Sequence, residues 1–267
     1  MSDAEPKDPD ASAVLGGPSP PAPAEIRDAL ASLCWRVREA RADPATDPPS
    51  RPAGGEGLGA EHRLPEDVLD ALADYVRRLL VANQETNLTA SGTIAGVAEV
   101  AVVDAAVLAD VFPRGSAFRF VDVGTGGGAP GIPFALLRPE ASGVLVEPRR
   151  RRWAFLVDVV AALGLGDRLR VVKGRVSPAD GAPALKIPPS DLAMARATFP
   201  PDVWLRVGPR LAPRVAAFLT APAPQMPGLR LLREVDYGLP VSGARRRLSL
   251  HERRPAAPGR RRKATVR

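Results

Sequence analysis

The stretch that decides the fold is Phe120-Val121-Asp122-Val123-Gly124-Thr125-Gly126-Gly127-Gly128-Ala129-Pro130-Gly131-Ile132. Its apolar start is rich in residues typical of a β-strand. The glycines permit positive φ angles and close approach of the backbone to a ligand, and Pro130 suits the first turn of a helix. The stretch therefore predicts a strand, a glycine turn and a helix start, with a nucleotide-type cofactor against the turn.

Two cofactor classes fit this turn. Gly124, Gly126 and Ala129 match the dinucleotide fingerprint, in which a glycine turn holds a pyrophosphate at a helix N-terminus. Asp122 lies two residues before the first glycine, where its carboxylate would repel a pyrophosphate. S-adenosylmethionine carries an ammonium and a sulfonium group instead, so an acidic strand end complements it. The charge thus favours the methyl donor over a nicotinamide dinucleotide, and a turn without a ligand is the third alternative.

A second acidic residue follows one βα unit downstream. The run Gly143–Val146 predicts a short buried strand that ends in Glu147, about 20 positions after the glycine turn. An acidic residue at that spacing is placed to accept hydrogen bonds from ribose hydroxyls, in either cofactor class. The alternative is that Glu147 only pairs with the arginines at 149–152.

Downstream of the turn, strand and helix patterns alternate. Strands are predicted over 169–173, 191–195 and 215–220, helices over 150–163 and 201–211, and a closing strand pair over 229–235 and 246–252. The alternation predicts an α/β fold with a doubly wound, mostly parallel sheet and an antiparallel edge. Ligands of such sheets bind at the carboxyl ends of the strands, which places Gly124, Glu147, the turn at 174–177 and Arg196 around one crevice.

The region before the sheet is predicted to be a helical cap. Helical spacing over 25–40, 65–82 and 94–112 indicates three helices within residues 26–112. Acidic residues in the third helix exclude a membrane span, and no signal peptide pattern precedes it. A Pro/Gly-rich linker is predicted at 41–60.

The two ends of the chain have opposite charge. Residues 1–25, a predicted disordered tail rich in Pro and acidic residues, hold five acidic residues and Lys7, a net −4. From residue 245 to 267, ten basic residues and Glu252 give +9, and 253–267 form a basic tail. This charge favours RNA or DNA as a partner, while the alternative is solvated charge in an Arg-rich composition.

Metal and disulfide chemistry find no support in the sequence. Cys34 is the only cysteine and is accompanied by two histidines, so neither a disulfide framework nor a Cys/His metal site is predicted. We expect a cytoplasmic monomer whose main domain covers residues 113–252.

The chain resembles the RsmG (GidB) family, bacterial methyltransferases that modify N7 of a guanine in 16S ribosomal RNA. The resemblance extends over about residues 65–250. Its motifs are the glycine stretch continued to Pro133, Asn83 with Asn87-Leu88-Thr89, Arg151-Arg152 with Phe155-Leu156, and Ala195-Arg196-Ala197.

The resemblance implies a class I S-adenosylmethionine-dependent methyltransferase fold and ribosomal RNA or the small ribosomal subunit as partner. It places S-adenosylmethionine against seven residues: Gly124, Gly126, Ala129, Glu147, Val176, Ser177 and Arg196. Guanine N7 exposes a lone pair, so proximity and alignment suffice and no catalytic residue is predicted. Arg196 would hold the donor carboxylate, the guanine edge or a phosphate, and its alternative role is a surface salt bridge.

Several crevice positions depart from the family pattern. Ser177 stands where the family has an acidic residue, Val100-Ala101 where it has Arg-His, and Thr220-Ala221 where it has Lys-Gly. Two further hypotheses therefore remain open beside rRNA methylation: a methyltransferase with another substrate, and a catalytically silent RNA-binding protein.

Overall fold

The glycine stretch lies at the end of a central strand of a nine-stranded sheet that has helices on both faces. The computed structural model describes residues 21–42, 61–179 and 185–254. The strands are β1 Cys34–Ala42, β2 Glu61–Arg63, β3 Phe118–Val123, β4 Ala141–Glu147, β5 Leu169–Lys173, β6 Leu192–Ala195, β7 Arg214–Leu219, β8 Leu229–Gly238 and β9 Arg245–Arg253. The helices are α1 Pro23–Ala31, α2 Leu69–Thr86, α3 Ile94–Val111, α4 Gly131–Leu137, α5 Arg150–Ala162 and α6 Pro201–Val207.

The order across the sheet is β2-β1-β8-β9-β7-β6-β3-β4-β5. The five strands from β7 to β5 are parallel, while β2, β1, β8 and β9 pair antiparallel. The chain runs outward from β3 through β4 to β5 and then returns to β6 on the other side of β3. A topological switch point therefore lies between β3 and β6, where doubly wound sheets bind ligands. The predicted α/β, mostly parallel sheet is confirmed.

Strand β3 lies in the middle of the parallel part of the sheet, and its last four residues are buried. Phe120 and Val121 are fully buried, and Val123 is nearly so. The Phe120 ring packs edge to face on Phe134 of α4, with 5.4 Å between ring centroids. On β4, Gly143 leaves room for this ring, since a Cβ there would lie 2.6 Å from one of its carbons. The close packing holds β3, and thus the turn that follows it, in a fixed position.

The predicted helix over 25–40 is wrong beyond Ala31, where α1 ends. Its second half is strand β1, in which Trp35 and Val37 are buried while Arg36 and Arg38 are exposed. That alternation has the period of a strand, and β1 pairs antiparallel with β8. The closing pair β8 and β9 is antiparallel as predicted, but the edge of the sheet on this side is β2. Residues 26–112 therefore supply strands as well as helices.

The helices predicted over 65–82 and 94–112 are confirmed as α2 and α3. Helix α3 is buried almost throughout, and its first turn is capped by the Thr93 hydroxyl, which accepts from the Gly96 N–H at 3.2 Å. Within the described ranges, no helix combines the length and apolarity needed to cross a membrane.

Most of the two predicted tails and of the linker at 41–60 lies outside the described residues. The predicted division of the chain into a cap at 26–112 and a main domain at 113–252 stays a prediction.

Candidate functional site

The glycine turn leaves β3 in a backbone conformation that side chains disfavour. Gly124, Gly126 and Gly128 have φ angles of +71°, +63° and +103°. The N–H groups of Gly124 and Thr125 both donate to the carbonyl of Val146 on β4, at 2.8 and 3.2 Å. The turn is therefore fixed to the neighbouring strand by its own backbone.

The surroundings of these glycines differ. A Cβ on Gly124 would lie 2.5 Å from Cγ2 of Thr198, and a Cβ on Gly127 would lie 2.7 Å from Cδ1 of Leu79. At Gly126 the nearest atom is Nη1 of Arg152, at 3.7 Å. The first two positions are thus closed by packing, while a Cβ at Gly126 would make only ordinary van der Waals contacts, so the backbone there is less crowded.

Asp122 lies beneath the turn and is fully buried. Its Oδ2 accepts hydrogen bonds from the Thr125 hydroxyl at 2.6 Å and from the Gly131 N–H at 2.9 Å. Burial raises the pKa of Asp122 to about 6, against the lowering effect of these two hydrogen bonds. The expectation that the Asp122 carboxylate faces a cofactor is therefore wrong. Asp122 instead connects the turn to the start of α4.

Glu147 ends β4 and is only 3% exposed. Its Oε2 accepts from the Gly126 N–H at 3.0 Å and its Oε1 from the Arg149 N–H at 2.9 Å. Its carboxylate therefore contacts the backbone of the turn directly. Within the described residues, it forms no ion pair with the guanidinium groups of Arg149–Arg152, so the alternative role does not apply.

The residues predicted from the third strand follow β5. The Val176 side chain is buried in the core on the α6 face, so only its backbone is available to a ligand. The Ser177 hydroxyl accepts from the Ala179 N–H at 3.2 Å. The Gly174 N–H donates to the Glu147 carbonyl at 3.2 Å, which holds this loop against the end of β4.

Arg196 follows β6, and its side chain is 18% exposed. Its Nη1 donates to the carbonyl of Val100 and, at 3.1 Å, to Oδ2 of Asp104, both on α3. The ion pair is largely buried, because Asp104 is 1% exposed. Arg196 is thus anchored from the α3 side, in contrast to the surface salt bridge considered from the sequence.

Asp104 binds two further groups, which belong to strands β8 and β9. The Tyr237 hydroxyl donates to its Oδ1 at 2.6 Å, and Nη1 of Arg246 lies 3.3 Å from its Oδ2. Burial, followed by the charge of Asp104, raises the pKa of Tyr237 well above its usual value. Asp104 therefore links α3, the loop after β6, and strands β8 and β9.

Helix α2 supports the turn in a way that the sequence did not reveal. The buried Tyr75 donates from its hydroxyl to the Gly127 carbonyl at 3.1 Å. Burial raises the pKa of this phenol, so it remains a donor. Tyr75 lies within the helical spacing predicted over 65–82, and nothing in that periodicity distinguishes it from a core residue.

The Asn-Leu-Thr segment has a structural role beside the turn. Oδ1 of Asn83 accepts from the N–H groups of Leu88 and Thr89 at 2.6 and 2.8 Å. Asn87 ends α2 in the left-handed conformation, and its carbonyl accepts from Nη2 of Arg152 at 2.7 Å. This contact holds the arginine of α5 near Gly126.

The sheet register brings the predicted residues to one edge. Val123 pairs with Val146 in the parallel ladder, so the glycine turn and Glu147 leave neighbouring strands together. Arg196 leaves β6 on the other side of β3. Ala129, 8% exposed, lies at the end of the turn, just before α4. The predicted residues thus lie around the switch point, with the acidic Glu147 on one side of the turn and the basic Arg196 on the other.

Comparison with known proteins assigns the chain to a family. Residues 68–212 match the family model GidB, described as rRNA small subunit methyltransferase G. A relative from Frankia alni with the name ribosomal RNA small subunit methyltransferase G is 37% identical over 198 residues, which cover 71% of this chain and 66% of that protein. A relative of the same name from Frankia casuarinae is 43% identical over 141 residues, which cover 51% and 48%.

The chain thus spans about half to two thirds of the length of these curated relatives. Among solved structures, TrmN from Thermus thermophilus has a TM-score of 0.49 at 20% identity, over 74% of this chain and 56% of that one. The sheet order and the family match together give a class I S-adenosylmethionine-dependent methyltransferase fold. Because the family model covers more than half of its residues, the chain belongs to the rRNA small subunit methyltransferase G family.

Proposed function

We propose that this chain is an S-adenosylmethionine-dependent methyltransferase that modifies N7 of a guanine in small-subunit ribosomal RNA. The observation that carries the proposal is the glycine turn at the switch point, uncrowded at Gly126 and flanked by an acidic strand end and an anchored arginine, in a chain of this family. The substrate, the cytoplasmic location and the monomeric state are parts of the same proposal.

The residues of the crevice fit S-adenosylmethionine. Gly126 has a positive φ angle, which disfavours a side chain, and no protein atom would lie closer than 3.7 Å to a Cβ there, so a ligand can approach its backbone. Each Glu147 oxygen accepts one backbone N–H, and a carboxylate oxygen has a second lone pair for a ribose hydroxyl. The backbone of Val176 and the hydroxyl of Ser177 would face the adenosine, and Gly124 and Ala129 would contact the donor through the turn.

Arg196 would hold the negative group of the donor. Its guanidinium has five N–H donors, and the contacts to Val100 and Asp104 both use Nη1. The remaining edge of the fork can bind a carboxylate with two parallel hydrogen bonds, and its partial exposure leaves it accessible. The anchoring by Asp104 reduces the rotamer entropy that Arg196 loses when it binds.

The proposed reaction needs little chemistry from the protein. When bound, S-adenosylmethionine supplies an electrophilic methyl group on its sulfonium. Guanine N7 already exposes a lone pair in the plane of the base, so no side chain has to remove a proton. The crevice residues therefore act by holding two reactants in line, and we assign no catalytic residue.

Two measurements test this proposal. Calorimetry with S-adenosylmethionine, and with NAD as control, measures the donor specificity. Methyl transfer from labelled donor to under-modified small-subunit rRNA, as naked RNA and as assembled subunits, measures the activity. Nucleoside mass spectrometry of the product should show 7-methylguanosine.

The outcomes separate the three hypotheses. Donor binding with 7-methylguanosine in the RNA supports the proposal. Donor binding with incorporation only into another substrate supports the second hypothesis, which the replacement of Lys-Gly by Thr220-Ala221 favours. RNA binding without donor affinity supports the catalytically silent protein, and binding of NAD in place of the methyl donor overturns the whole interpretation.

A further inference from the structure

An arginine-lined cleft of about 510 Å³ lies on the antiparallel flank of the sheet, away from the glycine turn. Strands β1, β8 and β9 and the loop after β7 form its walls. Its charged lining residues are Arg36, Arg38, Asp236, Arg245, Arg246 and Arg247.

The register of the sheet places this cleft at the same edge as the proposed donor site. Arg38 of β1 pairs with Asp236 of β8, which pairs with Arg247 of β9. Arg247 in turn pairs with Leu219, the last residue of the parallel strand β7. Since the carboxyl end of β7 lies at the edge where β3 and β6 end, the arginine row and the glycine turn share that edge.

The cleft has more positive charge than its carboxylates neutralise. Asp236 accepts from both Arg38, at 2.6 Å, and Arg247, and Arg246 is paired with Asp104. Arg36 and Arg245 are exposed, and within the described residues neither forms an ion pair. Two unneutralised guanidinium groups thus face an open cleft, where they favour an anionic ligand.

The cleft is separate from the part of the chain that matches the family model. All of its lining residues lie outside residues 68–212. They surround Thr220-Ala221, where the sequence lacks the Lys-Gly of the resembling family. Basic residues on the neighbouring strands therefore provide charge close to a position where a basic residue is missing.

We propose that this cleft binds backbone phosphates of the RNA substrate beside the nucleotide to be methylated. The inference rests on the proposed function, whose substrate supplies the phosphates. Strand β9 is three strand spacings from β3 and β1 is five, which gives roughly 14 and 24 Å. A few nucleotides of RNA span that distance, so one strand can place a base at the switch point and its phosphates in the cleft.

The test uses two matched double variants of the full chain. Arg36→Gln with Arg245→Gln removes the two unpaired charges of the cleft. Arg114→Gln with Arg254→Gln removes two exposed charges from the opposite edge, where β3 begins and β9 ends. Affinity for a labelled small-subunit rRNA fragment is measured by fluorescence anisotropy over a range of salt concentrations, without methyl donor.

The cleft variant should bind RNA roughly tenfold to thirtyfold more weakly near physiological salt, and its salt slope should decrease by about 2. The control should change far less, and calorimetry should give the same affinity for S-adenosylmethionine in all three proteins. The proposal is overturned if the cleft variant binds RNA as tightly as the wild-type protein, or if both double variants lose the same RNA affinity. Equally strong, cleft-dependent binding of duplex DNA or polyglutamate overturns the assignment to RNA.

The same proteins distinguish this inference from the proposed function. Cleft-dependent RNA binding without methyl incorporation overturns the proposed function and supports the cleft. Methylation with unchanged KM for RNA in the cleft variant supports the function and overturns the cleft. If both the proposed function and the cleft proposal are correct, the KM for RNA rises in the cleft variant while the donor affinity stays constant.

Discussion

The glycine turn and the arginine cleft lie at the same edge of one sheet but are built in different ways. The turn is a contiguous stretch between β3 and α4, and its bonds to β4 involve its own backbone. The cleft joins Arg38 to Asp236, 198 positions apart, and exists only because β1 pairs with β8. The difference teaches that a site made by local backbone geometry can be predicted from sequence, whereas a site made by strand pairing cannot.

Asp104 connects the two regions. It binds Arg196 beside the turn and Arg246 and Tyr237 on the cleft strands. One buried carboxylate therefore contacts both regions. Substitutions in the turn, at this junction and below the turn test how independent the two regions are.

The largest effect is expected from Gly124→Asp, which should reduce the affinity for S-adenosylmethionine roughly a hundredfold or more, about 3 kcal/mol. The residue has a φ of +71°, and the new Cβ would press against Thr198, whose hydroxyl donates to the Val123 carbonyl at 2.9 Å. Calorimetry measures the affinity, and RNA binding through the cleft should persist.

The matched control for this variant is Gly164→Asp. Gly164 has a φ of +64° after α5, and a Cβ there would meet no atom within 4 Å. It bears the same backbone strain and the same charge without touching the turn, so the donor affinity should stay unchanged. If folded Gly124→Asp protein keeps its donor affinity, the assignment of the donor to this turn is wrong.

The donor side of the sheet could be predicted because its signals are local. Strand β5 was predicted with its observed ends, and the turn follows from glycines within five positions. The orientation of Asp122 could not be predicted, because its contacts with Thr125 and Gly131 exist only once the turn has closed. The sequence spacing correctly predicts that Asp122 lies next to the turn. Its burial, which only the structure shows, makes it a structural residue.

The antiparallel flank was predicted less well, because its structure depends on contacts between residues far apart in the sequence. From the end of α1 into β1, Leu30, Leu33 and Val37 have the i, i+3, i+7 spacing of a helix, so the periodicity is ambiguous over a short window. Only the pairing with β8 shows that the segment is a strand. In the sequence, Asp104 is only one of the acidic residues of the predicted third helix, and its partner Arg196 lies 92 positions away.

The next largest effect is expected at the junction between the two regions. Asp104→Ala should lower the free energy of unfolding by about 3 kcal/mol, because two partly buried guanidinium groups and the Tyr237 hydroxyl lose their acceptor. Asp104→Asn, which keeps an acceptor oxygen, should lower the free energy of unfolding by less. Urea denaturation measures both variants.

Asp110→Asn is the control on the same helix. Asp110 is about one third exposed and pairs with His62 at 3.1 Å, so its loss should cost less than about 1 kcal/mol. Should Asp104→Ala prove no more destabilising than this control, the buried contacts of Asp104 would contribute no more to stability than an exposed ion pair.

The smallest of these effects concerns the pH dependence of stability below the turn. The folded-state pKa of Asp122 is about 6, against an ordinary value of 3.8, so the folded state favours the protonated acid. Its contribution to stability is therefore complete below pH 3.8 and is lost as the pH rises through 6. Between pH 4 and pH 6 the loss amounts to about 2 kcal/mol.

Asp122→Asn removes this titration while keeping an oxygen that accepts from Thr125 and Gly131. Its amide nitrogen takes the place of Oδ1, which is buried without a hydrogen-bond partner within the described residues. Urea denaturation at several pH values should show the variant gaining stability relative to wild type as the pH rises from 4 to 6. Because all other titrating groups are shared, two parallel curves would mean that Asp122 ionises normally, and that its carboxylate is open to solvent, or to a ligand, after all.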